Sequence, residues 1–214
     1  MRKNIISTII MLFLGFSLLN GSSIHLKLGF GYNGYNLENV SNYTTKEPKY
    51  SFVGGITTEF TLSRAFAIET GALYKHYRGD VGVKYLFEET KEIGTYQAKF
   101  KTKYISIPIL LKIYFLNEEL SPYLSLGINT NFYLSSKYSF TDEQNTGLGP
   151  YSGKYKNINL FLDIAFGVLA FPDTLGIEVE LHVTKSFRDL YDTEDMNSPN
   201  IKLNGIELIF GKRF

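Results

Sequence analysis

The sequence predicts an all-β protein, an eight-stranded antiparallel up-and-down transmembrane β-barrel. Three observations favour this fold class. Apolar and polar residues alternate with a period of two in eight separate runs, which is the pattern of strands with two different faces. The 214 residues include 16 Tyr, 17 Phe and 19 Gly but few helix-forming runs. The mean hydropathy of −0.07 is too polar for a bundle of membrane helices, whereas alternating barrel strands average near zero.

The charge balance and the absence of cysteine exclude several classes of protein. Lys and Arg number 22, Asp and Glu number 21, and the net charge is +1. A nucleic-acid-binding protein needs a basic surplus or stripe, so we expect no nucleic-acid partner. Because the chain has no Cys, it has no disulfide scaffold, thiolate zinc site, cysteine nucleophile or lipid-modified N-terminal cysteine.

Residues 1–22 have the pattern of an export signal. Arg2 and Lys3 precede an apolar run from Ile5 to Leu19, and small polar residues follow it. The run is shorter than the roughly 20 residues that a spanning helix needs. We therefore expect a cleaved signal peptide over residues 1–22 and an outer-membrane β-barrel over residues 23–214, with an uncleaved anchor as the alternative.

The eight alternating runs lie at about residues 24–33, 49–61, 65–78, 104–115, 123–134, 160–168, 175–183 and 205–214. In chain order, their apolar faces begin with the pairs Ile24 and Leu26, Phe52 and Ile56, Phe66 and Ile68, Ile105 and Ile107, Leu124 and Leu126, Leu160 and Leu162, Leu175 and Ile177, and Ile206 and Leu208. The fourth run is the clearest, although it contains a proline. Since proline removes one hydrogen bond from a ladder, we expect a β-bulge at Pro108.

Alternation alone does not say which face points inwards, because a soluble lipocalin-like barrel would bury its apolar face. The polar faces combine Gly, Ser and Asn with charges of both signs, which suits a narrow lumen filled by paired side chains. The connections after the second, fourth and sixth runs (62–64, 116–120 and 171–174) are short, and the others are long. Short turns on one rim and long loops on the other are typical of outer-membrane barrels.

The length of the fourth run also favours a membrane barrel. Residues 105–115, tilted by about 40°, cover about 25 Å, which is the height of a lipid-facing band. We therefore expect the apolar faces to contact lipid in the outer membrane of a Gram-negative-type cell. An even number of strands places both chain ends on the periplasmic rim.

Three segments resemble PorT-like outer-membrane β-barrel proteins. Residues 104–115 (YISIPILLKIYF) look like that family's strand of the form Y-hydrophobic-x-I-P-L-L-x-K-x-x-F. Residues 121–124 are similar to its P-Y strand start, and residues 206–214 are similar to its closing strand, which ends in Gly-x-x-Phe. Lys212 departs from the pattern, since an apolar or aromatic residue is usual there.

The resemblance implies an architecture and a route of insertion rather than a chemical activity. It implies that the barrel-assembly machinery reads the end of the closing strand, at Phe210 and Phe214, and inserts the barrel into outer-membrane lipid. It also implies a link to a protein-secretion apparatus.

Ten ionisable residues on the polar faces are expected in the lumen: Lys27, Glu59, Glu69, Lys75, Lys112, Asp163, Glu178, Glu180, Glu207 and Arg213. The interior of an eight-stranded barrel is only wide enough for side chains, and a lone buried charge is unfavourable. We interpret the ten residues as a salt-bridge network that fills the lumen. The alternative is a polar conduit or a proton-handling cluster.

Few residues indicate chemistry. Glu178 and Glu180 are spaced like an acid–base pair, but we expect them to pair with cations on neighbouring strands. The three histidines lack the spacing of a metal site. His76 with Asp80 and loop serines would imitate the site of a lipid-modifying enzyme. We predict no catalytic residue, cofactor or metal, and keep a lipid-modifying enzyme and a small-solute pore as alternatives.

The long loops provide the remaining functional signal. Alternation continues through residues 81–100, beyond the expected membrane band, so we expect a hairpin that extends outwards. Such a hairpin would bind a protein partner by strand addition or shield the mouth of the barrel. The acidic segment 187–199 lacks the calcium-loop pattern and is interpreted as solvated. A structural or partner-binding role at the extracellular loops follows.

Overall fold

The computed structural model describes residues 22–38, 44–86, 93–115, 119–142, 154–172, 174–187, 190–192 and 200–214. The predicted signal peptide, apart from Ser22, and most of the acidic segment 187–199 lie outside the described residues. Within those ranges, no helix has the length and apolar character needed to cross a membrane.

The strands are β1 (Ser22–Glu38), β2 (Thr44–Thr61), β3 (Phe66–Leu86), β4 (Ile93–Tyr114), β5 (Leu120–Asp142), β6 (Lys154–Tyr155), β7 (Ile158–Ala170), β8 (Ile177–Ser186), β9 (Tyr191–Asp192) and β10 (Asn200–Arg213). Eight of them close into an antiparallel barrel in the order β1-β10-β8-β7-β5-β4-β3-β2. The short strands β6 and β9 pair with each other in a separate sheet. The predicted eight-stranded barrel is confirmed.

The first and the last described strands, β1 and β10, meet at a seam that closes the barrel. The Ile24 amide donates to the Phe214 carbonyl at 3.2 Å, and the Phe214 amide donates to the Ile24 carbonyl at 2.8 Å. Following paired residues once around the barrel from Ile24 leads back to β1 at Gly34, ten residues further along the strand. Such a stagger requires the strands to tilt by about 40°.

The apolar faces point outwards, as the sequence predicts. Leu28 and Leu126 are 53% and 51% exposed on the outer surface, whereas Lys112 and Glu180 are 0% and 1% exposed. In water this arrangement would be unfavourable, but lipid is the natural surrounding of an apolar band. Closure also leaves no unpaired sheet edge at membrane depth.

The β-bulge expected at Pro108 is absent, so that prediction is wrong. Pro108 pairs with Asn129 on β5 in an unbroken register. On the β3 side the ladder is only interrupted, between Thr70 and Leu73, without a change of register. The missing N–H of proline is therefore accommodated by a gap in pairing. Register shifts occur instead at Pro48/Phe52 and at Lys103/Tyr104.

The wall of the barrel has two heights. Strands β3, β4 and β5 have 21, 22 and 23 residues, whereas β7 and β8 have only 13 and 10. Pairing of β3 with β4 continues to Leu86 and Ile93, and pairing of β4 with β5 continues to Tyr96 and Asp142. The described part of the hairpin predicted over residues 81–100 thus belongs to a taller sheet formed by β3, β4 and β5, which β2 joins as far as Thr44 and Val83. This tall sheet lies at the end of the barrel opposite Ser22 and Phe214.

Candidate functional site

Lys112 occupies the centre of the charged lumen. Its Nζ atom lies 2.6 Å from Glu69 Oε2, 2.6 Å from Glu178 Oε1 and 3.2 Å from Glu59 Oε2. These carboxylates come from β3, β8 and β2, so the ammonium group of β4 links the adjacent strands β2 and β3 to β8, which is paired with none of them. The three carboxylates have the oxygen atoms of a cation site, but the Lys112 ammonium holds the space between them. The cluster is therefore an ion-pair centre of the chain itself.

Lys27 forms the second ion-pair centre. Its Nζ atom lies 2.7 Å from Glu69 Oε1 and 2.7 Å from Glu180 Oε2, and 3.5 Å from Glu178 Oε2. Glu69 and Glu178 are therefore shared between the two lysines. Further along the lumen, Lys75 pairs with Glu207 at 2.8 Å.

Two tyrosines complete the hydrogen bonding of these carboxylates. The Tyr123 hydroxyl lies 2.5 Å from Glu178 Oε1 and 2.6 Å from Glu180 Oε1, so its single proton is shared between them. The Tyr114 hydroxyl donates to Glu59 at 2.6 Å. Gly167 makes room for Tyr123, because a Cβ atom at this position would lie 2.5 Å from the tyrosine oxygen. Sequence reasoning did not identify either tyrosine.

Two histidines also belong to the network, and the sequence analysis assigned them no role. His182 Nδ1 lies 2.9 Å from Asp163 Oδ1, and His182 Nε2 lies 3.1 Å from Glu180 Oε2. Both ring nitrogens therefore face carboxylates, and the ring links β8 to β7. His25 contacts Glu178 at 3.0 Å. Both histidines share the inward face with the predicted lysines and carboxylates, and this period-two position was the signal available.

An apolar plug closes the lumen beyond the charged layer, towards the outer end. Its buried members are Tyr35, Tyr77, Val81, Phe100, Tyr104, Phe161, Leu190, Ile201 and Leu203, with Tyr133 packed against them. None of the buried members is more than 2% exposed. Tyr35 and Phe100 have ring centroids 4.9 Å apart, and the Leu190 amide donates to the Ile201 carbonyl at 2.8 Å. In this outer part of the barrel, the strands therefore direct apolar side chains into the lumen, whereas in the charged layer they direct polar side chains there.

The structure brings together nine of the ten predicted lumen residues and leaves one apart. Lys27, Glu59, Glu69, Lys75, Lys112, Asp163, Glu178, Glu180 and Glu207 are each at most 2% exposed. Arg213 is half-buried near the chain terminus and makes no ion pair with any described residue. Phe210 and Phe214 lie on the outer surface, 46% and 72% exposed.

The residues weighed for catalysis are not arranged as a catalytic site. His76 lies on the outer surface of β3, opposite Lys103 of β4. Asp80 lies 3.5 Å from Lys49 instead. Glu178 and Glu180 are both engaged by lysines and by Tyr123, so neither is available as an acid or a base for a substrate.

Three solved structures of outer-membrane proteins are similar to this chain. OprG from Pseudomonas aeruginosa is 14% identical, with 91% of this chain and 96% of that chain covered and a TM-score of 0.52. Neisserial surface protein A (NspA) is 11% identical, with coverage of 91% and 100% and a TM-score of 0.46. The outer membrane enzyme PagL is 10% identical, with coverage of 88% and 97% and a TM-score of 0.37.

No curated protein matches the chain. The likeness to OprG shows the fold alone, since the identity is low. A family model described as an outer membrane protein beta-barrel domain matches residues 15–192, which is most of the sequence. The chain therefore belongs to the family of outer membrane protein β-barrel domains, and the outer membrane is its location.

Proposed function

We propose that the protein is a closed, non-conducting anchor that holds an extracellular sheet for a protein partner. The observation that carries this proposal is the double filling of the lumen, by the ion-pair layer and by the apolar plug. An eight-stranded barrel has little interior space beyond its own side chains. A path for solutes would have to cross both layers.

The tall sheet supports the partner-binding part of the proposal. Pairing between β5 and β7 ends at Phe132 and Ile158, while β5 continues to Asp142. Among the described residues, segment 135–142 of β5 pairs only with β4. Such an edge offers N–H and C=O groups to an added strand.

Planar-bilayer recordings test the closed anchor. The full chain, refolded in detergent and shown to be closed by heat-modifiable gel migration, is expected to give no stepwise conductance. Reproducible conductance steps from the folded fraction would refute the proposal and favour the small-solute pore. Protease treatment of intact cells is expected to cut within residues 87–92, and protection there would contradict the extracellular placement of the sheet.

The resemblance to PorT-like proteins suggests that the partner belongs to a protein-secretion apparatus. A variant with residues 83–96 replaced by a two-residue turn shortens β3 and β4 but leaves the barrel intact. We expect this variant to reach the outer membrane while secretion of cargo proteins falls. Unchanged secretion, with the shortened protein at normal abundance, would refute the link.

Export and insertion of the chain are also part of the proposal. We propose that a signal peptide over residues 1–22 is removed, and that the barrel-assembly machinery recognises Phe210 and Phe214. The mass of the mature protein tests the first point, because an intact N-terminus would contradict cleavage. Deletion of Phe214 is expected to reduce the heat-modifiable fraction in cells. Unchanged insertion would contradict recognition of this residue by the barrel-assembly machinery.

A further inference from the structure

Five positive charges lie together on the outer surface of the tall sheet, and we call them the basic patch: Arg78, Lys99, Lys101, Lys103 and Lys137. Arg78 of β3 is paired with Lys101 of β4, which is paired with Lys137 of β5. Directly paired residues point to the same face, with Cβ atoms about 5 Å apart. All five side chains are exposed. The net charge of the whole chain conceals this local excess.

The described residues leave the basic patch without neutralising partners. Among the described residues, none of the five forms an ion pair. Lys49 shows the contrast, because it contacts Glu47 at 3.0 Å and Asp80 at 3.5 Å. Asp80 is paired with Lys99 across the sheet, but its carboxylate lies near Lys49. Like charges placed opposite each other destabilise a sheet, so this arrangement calls for an anionic partner.

The position of the basic patch relative to the lipid-facing band indicates where that partner lies. On β4, the lipid-facing side chains from Phe115 to Ile105 cover about 25 Å. Lys103 and Lys101 follow on the same face, about 5 Å and 10 Å further out. The headgroup layer on each side of a bilayer is about 5–8 Å thick. The basic patch therefore begins within the headgroups and extends just beyond them.

We propose that the basic patch binds the anionic phosphate groups of outer-leaflet lipids. The two lysines next to the lipid band act as point charges, and the planar Arg78 guanidinium suits bidentate contact with phosphate. Lipid is favoured over a soluble polyanion because the patch continues directly from the lipid-facing surface. This inference goes beyond the proposed anchor function and is independent of whether the sheet binds a protein.

Lipid titrations of the full-length barrel in dodecyl maltoside, read out by native mass spectrometry, test the proposal. The probes are bis-phosphorylated lipid A, phosphatidylglycerol and zwitterionic phosphatidylcholine. We expect lipid A and phosphatidylglycerol to bind more tightly than phosphatidylcholine. Comparison of lipid A with phosphatidylglycerol shows whether the phosphate comes from a glycolipid or a phospholipid. In Arg78→Gln/Lys101→Gln, the affinity for anionic lipid is expected to fall about twenty-fivefold, or about fivefold for each charge removed.

A matched control removes one Arg and one Lys elsewhere. Arg64→Gln/Lys212→Gln changes the net charge equally, in the β2–β3 turn and near the end of β10, both at the rim opposite the basic patch, and is expected to keep the affinity within about twofold. Both variants must show the heat-modifiable band of a folded barrel. Arg78→Gln/Lys101→Gln removes the repulsion between two paired cations, which favours its folding. Equal affinity of the two variants, or equal binding of phosphatidylcholine, would overturn the proposal. Patch-dependent binding of heparin without binding of anionic lipid would overturn it in favour of a soluble polyanion.

Discussion

Replacing Lys112 by methionine tests the ion-pair layer directly. The side-chain length is nearly conserved, but the ammonium that touches Glu59, Glu69 and Glu178 is lost. Glu69 keeps Lys27 as a partner. The substitution therefore removes one cation and leaves the other ion pairs of the layer in place. Removing one partner of a buried ion pair lowers the free energy of unfolding by about 3–5 kcal/mol, and we expect Lys112→Met to fall in that range.

Urea titration of the refolded barrel in phospholipid vesicles, followed by tyrosine fluorescence and by gel migration, measures this loss. A double variant, Lys112→Met/Glu59→Gln, is expected to be more stable than Lys112→Met because it also removes a carboxylate left without its lysine. Lys185→Met changes an exposed lysine and is expected to shift the free energy of unfolding by less than about 0.5 kcal/mol. A loss below about 1 kcal/mol for Lys112→Met would refute the view that the layer depends on this cation.

Three further substitutions address the lumen, and urea titration of the same kind measures each. Gly167→Val drives a side chain into Tyr123 and is expected to destabilise the barrel by about 1–3 kcal/mol, whereas Gly34→Ala, where the nearest atom lies 3.4 Å away, is expected to be nearly neutral. Tyr123→Phe removes the hydroxyl shared by two carboxylates and should lower stability by about 1.5–3 kcal/mol; an unchanged midpoint would contradict that role. Phe161→Ala opens a cavity in the apolar plug and is expected to lower stability by about 3–5 kcal/mol, and a loss below 1 kcal/mol would show that the plug is loosely packed.

The barrel and the orientation of its faces follow from period-two alternation, because a barrel strand has one polar, lumen-facing side and one lipid-facing side. Leu28 and Lys27 illustrate this, since neighbours in sequence point to opposite media. The same logic places Lys112, Glu178 and Glu180 in the lumen. It does not give their partners, because pairing across the lumen depends on the stagger of strands that are far apart in sequence.

The apolar plug could not be predicted in this way. Tyr35 and Tyr77 occupy inward positions, but beyond the membrane band the outside is water, so the pattern of the strand no longer marks its faces. Leu190 belongs to a connection, where no periodicity exists. The bulge expected at Pro108 failed for a related reason: a missing N–H affects only one of the two neighbouring ladders, and a local gap there is sufficient.

The seam between Ile24 and Phe214 has a consequence for the order of assembly. β10 supplies the pairing partner of both β1 and β8, so the cylinder cannot close before β10 is in place. Until then β1 and β8 present open edges, and a chain shortened before β10 would keep them. Removal of β10 therefore yields an aggregation-prone fragment instead of a smaller barrel.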